Sequence, residues 1–251
     1  MKTNTWRSRC AIALVAYGVA AGAWSQANTL MVGAFSTMKV GAALPASWQP
    51  LGISTAKNLT RYTLVEDGGV TVLRAESKAA VAGLSHRIKV NTADFPMLKW
   101  RWKITNILKN SDILSKSGDD YPARIYVMFD YPLDKLSFVD RTKLRIARTL
   151  YDPNLPAATL CYVWDSKAPA GTMVPSSYTN LMRMIVVESG ASRVNQWLAV
   201  ERDVVADFKA AFGDDAPPIS AVAVATDTDN TGESTVAFYG DISFYKHNVT
   251  K

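Results

Sequence analysis

Most of this sequence consists of short segments in which apolar and polar residues alternate, the pattern of β-strands with one buried and one solvated face. In FPMLKWRWKIT, Trp100 and Trp102 fall on one face, and lysines and arginines fall on the other. In ARIYVMF, a purely apolar face leaves Arg124, Tyr126 and Met128 on the opposite side. Because such segments recur along the chain, the sequence predicts an all-β protein built as a two-sheet sandwich.

Two segments depart from this alternation. The segment SFVDRTKLRIARTLYD has apolar and basic residues at helical spacing, which predicts a short helical insertion around residues 134–150. We favour a helix that caps an open edge of the sandwich with a solvated basic face. The alternative is a basic amphipathic helix that touches an anionic surface. A second helical turn is expected in VVADFKAAFG, ended by Gly213.

The N-terminus has the three parts of a secretory signal peptide: basic residues, a short apolar run and small residues at the cleavage positions. The apolar run is shorter than the roughly 20 residues of a membrane helix, although an uncleaved anchor is the competing interpretation. We expect cleavage near Ala27 and one domain over residues 28–251. The protein would then be periplasmic or secreted, with no membrane span after cleavage.

Charge, cysteine and histidine content argue against several classes of protein. Cleavage would remove three basic and no acidic residues, so the net charge falls from +6 to +3. The densest basic run, Lys135 to Arg148, is confined to one segment, so we expect no nucleic-acid partner. Cys161 would be the single cysteine and could form no internal disulfide. The two histidines, His86 and His247, leave few members for a Ser-His-Asp triad or a zinc site.

The segment ATDTDNTGES contains the first candidate ligand site. Asp227 and Asp229 are two residues apart, so on an extended backbone both carboxylates could bind Ca²⁺ or sugar hydroxyls, with Asn230 beside them. An EF-hand is excluded because Phe238 stands where that loop needs a bidentate Glu. The alternative, which we favour, is a hairpin turn made of common turn residues.

The segment GDDYPAR supplies a second candidate site. Asp119 and Asp120 precede Arg124, which shares a strand face with Tyr126, and a guanidinium beside an aromatic ring suits a carboxylate or a sugar acid. The alternative, again favoured, is an internal ion pair of Arg124 with Asp120 or Glu188 that fixes strand register.

Trp164, at the end of LCYVW, is a further candidate because an exposed ring at a sheet rim can stack on a sugar. Glu188 and Tyr178 are softer candidates. The predicted ligand-binding set is therefore Asp119, Asp120, Arg124, Tyr126, Trp164, Glu188, Asp227, Asp229 and Asn230.

Several motifs occur in order along the chain: GDDYPARIYVMF, LCYVW, an ESG followed by a Trp, RDVVADFKAAFG and TDTDNTGESTVAFYGDISF. This set resembles the bacterial secreted family named domain of unknown function 3047, over about Phe35 to Tyr245. The resemblance implies an exported, single-domain protein and implies no particular reaction.

The C-terminal segments NQWLAVERDVVADF, PPISAVAVAT and VAFYGDISFY also resemble the closing strands of galactose-binding-like jelly rolls, which include carbohydrate-binding modules. This resemblance implies that the sandwich is a jelly roll. Such modules often hold Ca²⁺ between acids of their first and last strands. The first strand here, LMVGAFSTMKVG, has no acid, which argues against Ca²⁺ at Asp241.

Three functions are compatible with these features. The first is a non-catalytic jelly roll that binds a glycan or another polar ligand. The second is a carbohydrate-active hydrolase in which two carboxylates act as acid and as base or nucleophile. The third is an envelope protein whose sandwich binds a protein partner. The candidate carboxylates for hydrolysis are Asp119, Asp120, Glu188, Asp227 and Asp229.

Overall fold

A computed structural model of the protein describes residues 28–51, 57–150 and 153–247, and within them two β-sheets stack face to face. The first sheet contains β1 (Thr29–Gly33), β3 (Arg61–Asp67), β4 (Val70–Lys78), β6 (Met97–Ile104), β11 (Leu198–Asp203) and β13 (Ser234–Tyr245). The second contains β2 (Trp48–Leu51), β5 (Gly83–Val90), β7 (Arg124–Phe129), β8 (Ala158–Asp165), β9 (Met173–Pro175), β10 (Met182–Ser189) and β12 (Ile219–Ala225).

The strand order is β11-β6-β13-β4-β3 in the first sheet, with β1 paired to β13, and β2-β5-β12-β7-β8-β10-β9 in the second. Two α-helices occur in the described residues, α1 (Phe138–Leu150) and α2 (Val204–Phe212), with short 3-10 turns at Phe35–Thr37, Lys116–Gly118 and Leu133–Lys135. The predicted jelly-roll sandwich with a helical insertion is confirmed.

Aromatic side chains from both sheets meet in the core between them. The ring of Trp100 lies 5.3 Å from that of Tyr162, and Trp102 lies 6.2 Å from Trp164. All four side chains are buried, which confirms the predicted inward face of β6. Large aromatic side chains fill the interior because each buries a large apolar area in few rotamers.

The second sheet is also covered on its outer face. A smaller apolar cluster there includes Tyr121, Cys161, Val163 and Met184, so β8 is buried along its whole length. Burial raises the pKa of the Cys161 thiol, which fits the role of a small buried side chain better than that of a nucleophile. Because both faces of the second sheet are covered at β8, several candidate residues near this strand lie in the protein interior.

The predicted hairpin between the last two strands is wrong. β12 belongs to the second sheet and β13 to the first, so residues 226–233 cross from one sheet to the other. The same Asp, Asn, Thr and Gly residues that favour a hairpin turn serve this crossover. Gly68 and Gly69 close the hairpin between β3 and β4, and both have positive φ angles, 65° and 78°.

Both predicted helical segments are confirmed, but the predicted position of the first is wrong. Leu144 of α1 is buried and lies with Tyr126 and Met128 along a groove over the outer face of the second sheet, rather than at a sheet edge. Asp203 caps the N-terminus of α2, where its side chain accepts two backbone N–H bonds, and Gly213 caps the C-terminus.

Within the part of the chain that the structure describes, no helix is long and apolar enough to cross a membrane. The predicted leader, residues 1–27, lies outside the described residues.

Candidate functional site

Arg124, the first residue of β7, is buried and bound on several sides. Its Nε donates to Oδ1 of Asp227 at 3.0 Å, and its Nη2 donates to the other oxygen of that carboxylate and to the carbonyl of Asp119 at 2.6 Å. The guanidinium carbon lies 4.4 Å from the centre of the Tyr121 ring. A bidentate, charge-assisted pair of this kind fixes geometry strongly. The predicted internal ion pair therefore exists, but its main partner is Asp227 rather than Asp120 or Glu188.

Asp227 joins the crossover to the segment before β7. Its Oδ1 also accepts the backbone N–H of Tyr121 at 3.0 Å, and its own N–H donates to the carbonyl of Tyr121 at 3.3 Å. Burial raises the pKa of Asp227 to about 7, while the Arg124 guanidinium and the Tyr121 amide act in the opposite direction. Burial likewise raises the pKa of Asp119, against the effect of Arg124.

Hydroxyl groups form the remaining hydrogen bonds of the buried crossover. Thr226 donates to the carbonyl of Pro122 at 2.9 Å and lies 2.9 Å from the Tyr239 hydroxyl, which donates to the carbonyl of Ala225 at 2.6 Å. The hydroxyls of Thr228 and Ser77 are 2.8 Å apart. Sequence reasoning missed these groups. The available signal was a run of polar residues directly after a buried apolar strand, since such residues need partners.

Three carboxylates of this region, those of Asp120, Asp227 and Asp229, have oxygens within 4.8 Å of one another, a separation that a cation could bridge. However, Asp120 already accepts the backbone N–H groups of residues 230–231, at 3.3 and 2.7 Å. Both Asp227 oxygens accept hydrogen bonds as well. The arrangement fits an internal network around Arg124 better than a cation site.

A groove of about 650 Å³ runs between α1 and the outer face of the second sheet. Tyr126, Met128 and Thr159 line it from the sheet, whereas Leu144 and Ala147 line it from the helix. The remaining lining residues are Leu51, Asp140, Lys143, Leu155, Pro156 and Ser176 to Met182. The groove thus combines an apolar floor with a wall of hydroxyl and amide groups.

Tyr178 stands at the rim of this groove with 56% of its surface exposed. Its hydroxyl donates to the carbonyl of Lys116 at 3.2 Å. The side-chain amide of Asn230 donates to the same carbonyl at 2.7 Å and to the Tyr178 hydroxyl at 3.3 Å. Asn230 therefore connects the crossover to the groove and holds an exposed aromatic ring in place.

The remaining predicted residues lie elsewhere. Trp164 is fully buried in the core and donates its indole N–H to the carbonyl of Gly190 at 3.0 Å, so the expected exposed ring at the rim is wrong. Glu188 is half-buried, and its carboxylate accepts the N–H of Ser189 at 3.0 Å. Among the described residues it forms no ion pair with Arg124. The predicted set thus divides into a buried network, a groove and two unrelated positions.

Several solved structures are similar to this chain at low identity. The Emp47p carbohydrate recognition domain is 12% identical, covers 87% of this chain and 95% of its own, and has a TM-score of 0.41. The family 30 carbohydrate-binding module of a Clostridium thermocellum cellulosomal cellulase is 11% identical, with coverages of 87% and 99% and a TM-score of 0.36. The Trichoderma harzianum endoglucanase 3 from family GH12 is 8% identical, with coverages of 82% and 100% and a TM-score of 0.38.

No curated protein matches the chain in sequence. A family model, described as Protein of unknown function (DUF3047), matches residues 46–243, which include the crossover, the groove-lining strands and α1. The chain therefore belongs to the DUF3047 family.

Proposed function

We propose that this protein is an exported, non-catalytic module that binds a glycan or a similar polyhydroxylated ligand in the groove beneath α1. The observation that carries the proposal is the chemistry of the groove lining. Tyr126 and Met128 provide an apolar floor, and Ser176 to Asn180 provide hydroxyl and amide groups along one wall. A sugar has the same two characters, because its C–H faces are apolar and its edges carry hydroxyls.

The exposed ring of Tyr178 supports this proposal. A tyrosine fixed at a groove rim can stack on a sugar ring with little loss of side-chain entropy, because its own hydrogen bonds already restrain it. The bonds to the Lys116 carbonyl and to Asn230 supply that restraint. Tyr126 and Asn230, both predicted to bind ligand, remain part of the proposal in other roles, Tyr126 in the floor of the groove and Asn230 as a support for Tyr178.

Hydrolysis is less well supported by the placement of the acids. Glycosidases use two carboxyl groups about 5 to 9.5 Å apart across the bond to be cleaved. Among the residues that the structure describes, Asp140 is the acid that lines the groove, and its carboxylate accepts the Ser137 hydroxyl at 2.7 Å near the start of α1. Asp120 and Asp227 hold internal hydrogen bonds and lie outside the groove lining.

Glycan-array screening followed by calorimetry tests the proposal. We expect Tyr178→Ala and Ala147→Arg, which remove the rim ring and obstruct the groove, each to weaken binding about tenfold or more. Tyr245→Ala is the matched control, because its hydroxyl bonds Glu201 on the other sheet. Unchanged binding in both groove variants, or product release from any polysaccharide, would contradict the proposal. Mass spectrometry of the recovered protein tests cleavage after Ala27.

A further inference from the structure

Four large apolar side chains of α1 face solvent. The exposed fractions are 82% for Phe138, 57% for Val139, 55% for Ile146 and 68% for Leu150. The sequence pattern predicts that part of this apolar set packs on the sandwich, yet Leu144 is the one buried residue of the helix. A contiguous apolar surface exposed on one element indicates an interaction site.

These four residues form a single strip, which we call the α1 outer face. At about 100° per residue they lie within about 120° of the helix circumference, and Leu144 lies on the opposite side. Thr142 and Thr149 fall within the same strip, and their hydroxyls donate to the carbonyls of Phe138 and Arg145 at 2.9 and 3.0 Å. The strip can be transferred out of water without leaving either hydroxyl unbonded, because both form hydrogen bonds within the helix.

Cations border the α1 outer face on both long sides. By the same helical geometry, Lys143 lies next to Leu150 and Arg145 lies next to Phe138. Arg141 and Arg148 lie behind Arg145. Among the described residues, none of these four cations forms a salt bridge. Arg141 and Arg148 donate to the backbone carbonyls of residues 134, 136 and 155, so Lys143 and Arg145 carry the charge that is available to an anionic partner.

We propose that α1 docks the protein on an anionic lipid surface through its outer face. An apolar strip between two cationic borders matches the layers of such a surface, since acyl chains receive the strip and headgroups receive the bases. Lysine and arginine side chains extend from the helix flanks to reach the headgroups. With 13 residues, α1 lies on the membrane rather than crossing it.

Docking leaves the groove on the opposite side of the helix. Leu144 and Ala147 line the groove, and the α1 outer face points away from them, while Lys143, also in the groove lining, lies at the border between the two surfaces. A ligand in the groove and a lipid surface would therefore contact α1 at the same time. This proposal does not depend on the nature of the groove ligand.

Vesicle co-sedimentation tests the proposal, using the protein recovered after export with its N-terminus verified by mass. We expect binding to phosphatidylcholine vesicles that contain about 30% phosphatidylglycerol and much weaker binding to phosphatidylcholine alone. Binding to the anionic vesicles should fall as salt rises from about 50 mM to about 500 mM. The double variant Phe138→Ser, Leu150→Ser should lower the partition coefficient at least tenfold, since each CH₂ buried in lipid contributes about 0.8 kcal/mol.

Matched variants separate this effect from loss of folding. Leu59→Ser, Leu114→Ser changes two other exposed leucines and should bind like the unaltered protein. Lys143→Gln, Arg145→Gln should remove the preference for anionic vesicles, with an unchanged melting temperature because these side chains form no described salt bridge. The proposal is overturned if the unaltered protein does not bind, or if Phe138→Ser, Leu150→Ser binds equally well. It is also overturned if the same variant instead abolishes a dimer seen in size-exclusion chromatography.

Discussion

The crossover around Arg124 and the outer surface of α1 both carry several charged residues, but they treat those charges in opposite ways. Arg124 is buried and bonded to Asp227 and Asp119, and the surrounding hydroxyls complete the network. The cations of α1 are partly or fully exposed, lie beside exposed apolar side chains, and form no salt bridge to a described residue. Buried charges are retained when they are paired, whereas exposed unpaired charges remain able to meet an outside partner.

This difference helps to separate architecture from function. The crossover holds the two sheets together, since residues 226–233 leave one sheet and enter the other. A residue bound in this way has little capacity left for a ligand. The groove and the α1 outer face are still available for binding. Ligand binding is proposed for the groove, and lipid docking is proposed for the α1 outer face.

The largest effect is expected from breaking the buried pair. Arg124→Leu leaves the Asp227 carboxylate buried without its main partner, and we expect a loss of about 3–5 kcal/mol in the free energy of unfolding. Urea unfolding followed by tryptophan fluorescence measures this loss. The double variant Arg124→Leu, Asp227→Leu should lose less than the single variant, because it removes the Asp227 charge together with its partner and leaves Asp119, 3.6 Å from Nη1 of Arg124, as the one carboxylate among the described residues that loses this cation.

Arg61→Leu is the matched control on the surface. Arg61 bonds Glu76 at 2.6 Å, but its side chain is 68% exposed, so its loss should cost no more than about 1 kcal/mol. Equal losses in Arg124→Leu and Arg61→Leu would show that the crossover is not a stabilising network. The crossover would then again be a candidate ligand-binding site.

A smaller effect is expected at His86, where burial is not matched by a partner. Its Nδ1 is buried without a hydrogen-bond partner among the described residues, its ring stacks on Trp48 at 5.4 Å, and burial lowers its pKa from the usual 6.5. The folded state then binds fewer protons than the unfolded state below pH 6.5, so stability is highest above that pH and falls on acidification.

The loss at His86 should be small, because the ring keeps part of its contact with water. Chemical denaturation at a series of pH values between about 5 and 8 measures it. His86→Phe keeps the stacking and should flatten that part of the profile relative to the unaltered protein. An unchanged slope in His86→Phe would place the titration elsewhere.

The sequence predicted side-chain burial correctly where a strand has one buried and one solvent-exposed face. The alternation around Trp100 and Trp102 predicted their burial correctly, because Arg101 between them and Lys99 and Lys103 on either side mark the solvated face. It failed at Trp164, since β8 is buried on both faces and alternation then carries no information about exposure. The helix at α1 was predictable from its spacing, but the side on which it packs depends on the groove beneath it.

The sequence identified several residues of the site but did not predict which of them form hydrogen bonds with one another. Asp227 and Arg124 are separated by 103 positions along the chain, and no local pattern pairs them. The turn residues did not distinguish a hairpin from a crossover between sheets, because both structures use the same residue types. Tyr178 and Asn230 meet through a bond that spans 52 positions, so the rim of the groove was equally hidden.

The smallest effect, an expected absence of change, concerns Ca²⁺ at the three clustered carboxylates. A bound ion must raise the melting temperature, because it binds the folded state in preference to the unfolded one. Asp120 and Asp227 already accept hydrogen bonds at both oxygens, so we expect melting temperatures in Ca²⁺ and in chelator to agree within about 1 °C. The exposed member, Asp229, provides the control. If Ca²⁺ raises the melting temperature by several degrees and Asp229→Asn abolishes that rise, the crossover is a metal site and its contrast with α1 fails.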